Sequence, residues 1–103
     1  MTSRRRVGAK LSSVRARIDR LDRALLRLLN QRARLALDIG RIKKRRKWPV
    51  FDAAREAFVL RRVETANRGP LSPRAIRHVF QAILCECRRR ERGSSRKQKM
   101  VIK

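Results

Sequence analysis

The stretch that most limits how this chain can fold runs from Ser13 to about Lys44. Val14, Ile18, Leu21, Leu25, Leu28, Arg32, Leu35, Ile39 and Ile42 recur in alternating steps of four and three, as on a helix that presents one continuous seam. A helix of that length spans about 48 Å, whereas a compact globule of about 100 residues has a radius of gyration of about 13 Å. The helix is therefore expected to outrun its own subunit. An exposed apolar seam needs a cover, and a second copy of the chain is the expected one.

The rest of the chain is punctuated clearly. Met1 to Lys10 is basic and lacks apolar periodicity, so residues 1–10 are expected to form a flexible arm, with Ser12 or Ser13 capping the first helix. That helix should end within KKRRKWP, because Pro49 biases Trp48 away from helical angles and five adjacent cations repel one another. Asp52 is placed to cap a second helix whose Val59, Leu60 and Val63 form a narrow apolar stripe. Gly69 and Pro70 end it, and Ser72 followed by Pro73 starts a third helix. Along that helix Ile76, Val79, Phe80, Ile83, Leu84 and Cys87 repeat at three and four, as core positions do. From Arg88 the apolar period is lost, so order is expected to fade near Gly93. The expectation is an all-α chain of three helices, long, short and medium, with a folded domain over residues 11–92 and a basic flexible tail over 93–103. No strand signal or internal repeat competes with it.

Charge narrows the partners without naming one. With 31 Lys and Arg against 8 Asp and Glu, the formal net charge of +23 predicts attraction to anions. Nucleic acid, an acidic lipid surface and a small polycarboxylate or phosphate all remain open on that ground, and a generally basic proteome would raise the charge for no local reason. KKRRK could act as a phosphate-backbone or nuclear-localisation patch, although short basic runs are common. Cys85 and Cys87 lie two apart in a helical pattern, so a disulfide between them is not expected. One histidine, His78, and two cysteines give no ligand set for a structural zinc, so no metal or cofactor is expected. No apolar segment reaches membrane length, and the basic start lacks an apolar run after it, which leaves an Arg/Ser-rich transit peptide as the remaining targeting reading. A reduced cytoplasmic protein with no membrane partner is expected.

Several polar residues occupy positions where packing residues belong. Arg32 sits between Leu28 and Leu35 in the seam, and burying a guanidinium without a counter-charge costs several kcal/mol. Its partner is either intramolecular, such as Asp38 or Glu56, or a bound carboxylate held bidentately. Lys43 projects from nearly the same face about 16 Å further along, whereas Arg15 is about 25 Å away in the other direction. A small ligand held by Arg32 reaches Arg15 only if Arg15 arrives from a partner chain; the other reading of Arg15 is a solvated arginine. Arg55 gains nothing from the dipole at the start of the second helix, which hints at another purpose. Cys87 and Glu91, four apart, share the face that continues the apolar stripe of the third helix; a solvated Glu91 beyond the end of the stripe is the simpler reading.

Together these positions resemble the all-helical chorismate mutases, the AroQ class. The matching residues are LSSVRARIDRLDRALLRLLNQRARLALDIGRIKK, WPVFDAAREAFVL and GPLSPRAIRHVFQAILCEC, from Leu11 to about Glu91. The spaced motifs are R-x-x-I-D-x-L-D, L-L-x-x-R at Arg32, I-G-x-x-K at Lys43 and P-V-x-D-x-x-R-E over Asp52 to Glu56. Each alone is weak; their order and spacing make them specific. The resemblance implies an intertwined helical homodimer with two sites, each completed by Arg15 from the other subunit. It implies that Arg32 and Arg55 hold substrate carboxylates, that Lys43 bonds the ether oxygen and a carboxylate, and that Asp52 and Glu56 address the substrate hydroxyl. Cys87 and Glu91 complete the pocket, and Lys43, Glu91 and Arg32 are the expected catalytic residues. The substrate implied is the dianion chorismate, rearranged to prephenate in aromatic amino acid biosynthesis.

Two departures stand out. Many relatives carry serine at the position of Cys87, and a thiol is a weaker donor. Many carry glutamine at the position of Glu91, though some carry glutamate. Glu91 must be protonated to mimic glutamine, and nearby cations oppose that while desolvation favours it. Isochorismate pyruvate lyase, which shares the fold and much of the cationic pocket, is the alternative enzyme. A basic nucleic-acid-binding helical module is the alternative of another class. It is not favoured, because Trp48 and three phenylalanines offer little for base stacking. A mutase that needs a partner enzyme, or a domain cut from a fusion, is a third arrangement that the residues do not distinguish.

Overall fold

The computed structural model describes the backbone of residues 2–102 and the side chains of residues 3–93. Among them are three helices and no strand: α1, Thr2–Arg46; α2, Ala53–Ala66; and α3, Pro73–Ile102. The chain is all-α, in the expected order of long, short and medium.

Both ends of this plan differ from the sequence expectation. Helical backbone begins at Thr2 and not at Ser12 or Ser13, so no structural break separates residues 2–10 from the seam. Arg, Lys and Ala are good helix formers, and adding a residue to an existing helix costs far less than nucleating one. Likewise α3 passes Gly93 and runs to Ile102. A single glycine weakens a helix by only about 1 kcal/mol relative to alanine. The side chains of residues 94–103, where the basic tail was placed, lie outside the described residues.

The helix ends follow local chemistry. Lys47 takes a left-handed conformation (φ 57°), with Lys47 N–H donating to Lys44 O at 3.2 Å and Trp48 N–H to Lys43 O at 2.9 Å. This Schellman-type closure stops α1 within the basic run, ahead of Pro49. Asp52 caps α2, its Oδ1 accepting from the Arg55 backbone N–H at 3.0 Å. In the α2–α3 turn Asn67 Oδ1 accepts from Gly69 N–H at 3.0 Å, and Gly69 takes a positive φ of 78° that suits a residue without a Cβ. Ser72 Oγ accepts from Ala75 N–H at 3.0 Å, and Pro73 opens α3 where its missing N–H costs nothing.

The chain divides into two compact units, residues 1–31 and residues 32–103. The first unit is the leading part of α1. Its seam residues Val14, Ile18, Leu21, Leu25 and Leu28 are all exposed, between 42% and 63%. The second unit holds the remainder of α1 together with α2 and α3. Its core is small: Val59, Leu60 and Leu84 are buried with Phe80 packed against them, and Ala36 and Cys87 are also buried. Val63, Ile76 and Ile83 are half-buried, but Val79 is exposed, contrary to its place in the α3 stripe. A stripe at steps of three and four spans more of the helix circumference than one neighbouring helix, α2, can cover. Within the second unit α1 and α3 come close at Gly40: a Cβ placed there would lie 2.6 Å from the Glu91 carbonyl oxygen and 2.8 Å from its Cα. Only glycine permits that approach.

Candidate active site

The second unit contains a cleft of about 310 Å³, a size suited to a small ligand. Its walls come from three helices. α1 supplies Arg32, Leu35, Ala36, Ile39 and Lys43; α2 and its cap supply Asp52, Arg55, Glu56, Val59 and Arg62; α3 supplies Leu84, Cys87, Arg88 and Glu91. Helical spacing explains why they converge. Arg32, Leu35, Ala36, Ile39 and Lys43 fall on one face of α1, as do Glu56, Val59 and Arg62 on α2 and Leu84, Cys87, Arg88 and Glu91 on α3.

Seven of the eight residues singled out from the sequence line this cleft: Arg32, Lys43, Asp52, Arg55, Glu56, Cys87 and Glu91. The eighth, Arg15, belongs to the first unit, where it is exposed. The cleft also contains two arginines that the sequence reading did not select, Arg62 and Arg88. Both were legible as neighbours on the right faces, Arg62 seven residues after Arg55 and Arg88 three before Glu91. Charge alone could not separate them from the many solvated arginines of this chain. A further participant, the backbone carbonyl of Val50, leaves no side-chain trace in the sequence.

The polar groups are tethered in pairs. Lys43 Nζ donates to Val50 O at 2.6 Å and to Glu91 Oε1 at 3.3 Å, and both side chains are mostly covered. Glu56 Oε2 lies 3.5 Å from Arg88 Nε. Asp52 is engaged through Oδ1 by the start of α2. Arg55 and Arg62 both lie over the Phe58 ring, at 5.5 and 5.6 Å from its centroid. Neither suggested partner reaches Arg32, since Asp38 pairs with Arg41 on α1 and Glu56 with Arg88. Arg32 is half-buried and lines the cleft, so a ligand anion remains the natural counter-charge. Five cations and three carboxylates line the walls, a formal excess of two positive charges.

Apolar walls, fixed cations and one close backbone contact define a site built to grip a small anion. Residues 14–92 match the family described as chorismate mutase type II. The chain belongs to that family. Among the relatives of this chorismate mutase family member, the bifunctional chorismate mutase/prephenate dehydratase of Pseudomonas aeruginosa is 39% identical over 83 residues, covering 76% of this chain and 23% of that protein. The enzyme of the same description from Neisseria gonorrhoeae is 40% identical over 70 residues, 68% of this chain and 19% of that one. The chain thus spans about a quarter or less of the length of these bifunctional relatives. A solved structure of chorismate mutase (form II) from Thermus thermophilus superposes with a TM-score of 0.79 at 32% identity, covering 81% of this chain and 94% of that one.

Proposed function

We propose that the chain is a chorismate mutase, an isomerase that rearranges chorismate to prephenate without a cofactor. The observation that carries this reading is the convergence of Arg32, Lys43, Asp52, Arg55, Glu56, Cys87 and Glu91 on one cleft whose cations outnumber its carboxylates by two. A dianion supplies the missing charge.

The reaction is intramolecular, so the protein has two tasks. It holds the dianion in the folded shape in which the reacting ends meet, and it stabilises the negative charge that develops on the breaking ether oxygen. Arg32 and Arg55 hold the carboxylates. Asp52 and Glu56, near the start of α2, address the ring hydroxyl. Lys43 lines the cleft and is anchored by the Val50 carbonyl, so it meets the ether oxygen with little reorganisation. Glu91, whose Oε1 accepts from the same ammonium at 3.3 Å, completes the ether-oxygen end of the cleft. Interactions stronger in the transition state than in the ground state lower the barrier, and the charge on the ether oxygen is present only in the former.

The site is completed by a second subunit. Twelve of the large apolar side chains that are more than 40% exposed lie on α1, from Val7 to Ile42, and a homodimer covers them while delivering Arg15 to the partner's cleft. Among the described residues no helix is long and apolar enough to cross a membrane. We assign the enzyme to the cytoplasm, where its small anionic substrate is soluble.

A chorismate depletion assay on the wild-type chain beside Arg32→Ala and Lys43→Ala tests the reading. Turnover in the wild type and its loss in both variants, with their melting temperatures retained, supports it. Wild-type protein that leaves chorismate intact at neutral pH and under mildly acidic conditions overturns it. Isochorismate in a parallel assay identifies a pyruvate lyase if pyruvate is released instead.

A further inference from the structure

α3 carries three consecutive arginines, and they do different things. Arg89 pairs with Glu86 one turn away at 3.2 Å, with both side chains about two-thirds exposed, an arrangement worth little. Arg88 instead reaches across to α2, its Nε 3.5 Å from Glu56 Oε2, with both side chains about three-quarters covered. Its guanidinium also lies over the Phe51 ring, 4.9 Å from the centroid. The aromatic face orients the guanidinium plane, and the plane orients its donors.

We propose that Arg88 is a positioning residue for Glu56, fixing one carboxylate oxygen so that the other accepts the hydrogen bond of the substrate hydroxyl. This rests on the reading of the cleft as a chorismate site. Glu56 stands among four other cleft cations, Arg32, Lys43, Arg55 and Arg62. A carboxylate in such surroundings needs a tether to keep one orientation, as Asp52 has at the N-terminus of α2 and Glu91 has in Lys43. Arg88 supplies it for Glu56 through Oε2, and the proposal assigns Oε1 to the ligand. Arg88 also supplies charge to the cleft, and the two effects are separable. Charge acts on any dianion, whereas orientation of Glu56 matters only to a ligand that carries the hydroxyl.

The test compares kcat and KM of wild type, Arg88→Met, Arg88→Lys, Glu56→Ala and the Arg88→Met/Glu56→Ala double variant, on chorismate and on its analogue lacking the ring hydroxyl. Arg88→Met is expected to lower kcat/KM for chorismate about tenfold and that for the analogue only about twofold, through the lost charge alone, with the melting temperature within a few degrees of wild type. In the Glu56→Ala background the same substitution is expected to add less than about twofold, as for residues acting through one contact. Arg88→Lys keeps the charge but loses the planar fork, so it should resemble Arg88→Met and not wild type. Equal losses for both substrates, additive losses in the double variant, or full activity of Arg88→Met overturn the inference while leaving the mutase reading intact. Wild-type protein that neither binds nor converts chorismate overturns that reading, and this inference with it.

Discussion

Lys43 and Glu91 show how much of the site is settled by two side chains. Their contact at 3.3 Å pairs an ammonium donor with a carboxylate that accepts from it. On the proposed reading Glu91→Gln keeps the length of the side chain and adds an uncharged amide donor, so it is expected to raise kcat; an unchanged kcat would remove Glu91 from the ether side. On the proposed reading Lys43→Ala is expected to lower kcat by about 10² to 10³, the range typical of a lost transition-state donor, and Arg32→Ala to act on KM as well, as for a residue that also holds the ground-state dianion. At this scale the sequence was informative. Arg32, Arg55 and Glu91 were legible because each broke a pattern, as Arg32 interrupts the seam and Arg55 opposes the helix dipole, whereas Lys43, Asp52, Glu56 and Cys87 were legible through the resemblance of their spacing to the all-helical chorismate mutases. Arg62 and Arg88 broke none, and in a chain with 31 Lys and Arg nothing local distinguished them.

At the scale of elements the position of Glu91 depends on Gly40. The α1 backbone approaches Glu91 so closely that a methyl group would meet its carbonyl oxygen and Cα. Gly40→Ala must push α3 away or distort it, and is expected to cost about 1–3 kcal/mol of stability and most of the activity. Gly8→Ala on the same helix has open space around it, and is expected to stabilise by up to about 1 kcal/mol through helix propensity. Thermal melts of the two variants should move in opposite directions. Ser72→Ala removes the cap of α3, and a loss of about 1 kcal/mol is expected with kcat unchanged. The caps and breaks around α2 and the start of α3 were readable from Asp52, Gly69, Ser72 and Pro73, because capping is local chemistry. The outer ends of α1 and α3 were not, because apolar periodicity reports which face is buried and not where helical backbone stops.

For the whole molecule, the exposed seam and Arg15 make one argument. Val14, Ile18, Leu21, Leu25 and Leu28 are all at least 42% exposed, and no small buried core elsewhere offsets an apolar strip of that length. Sedimentation at micromolar concentration is expected to give a dimer, and a monomer would contradict the shared site. Subunit mixing tests Arg15 directly. If Arg15 serves the partner's site, a heterodimer of Arg15→Ala and Arg32→Ala chains has one intact site and one doubly damaged site. Equal mixing of the two impaired proteins should then recover about a quarter of wild-type activity, since half the dimers are mixed. If Arg15 serves its own chain, mixing recovers nothing.

The sequence by itself determined three helices, their order, the caps between them and a seam with Arg32 inside it. These follow from periodicity and from side chains that act within four residues of their own position. Tertiary structure alone decided that Arg88 tethers Glu56, that Val50 anchors Lys43 through a backbone carbonyl, and that Gly40 exists to admit Glu91. Each of these joins residues beyond the reach of a single helical turn. Two are carried by backbone atoms, which every residue possesses, so no residue type could announce them.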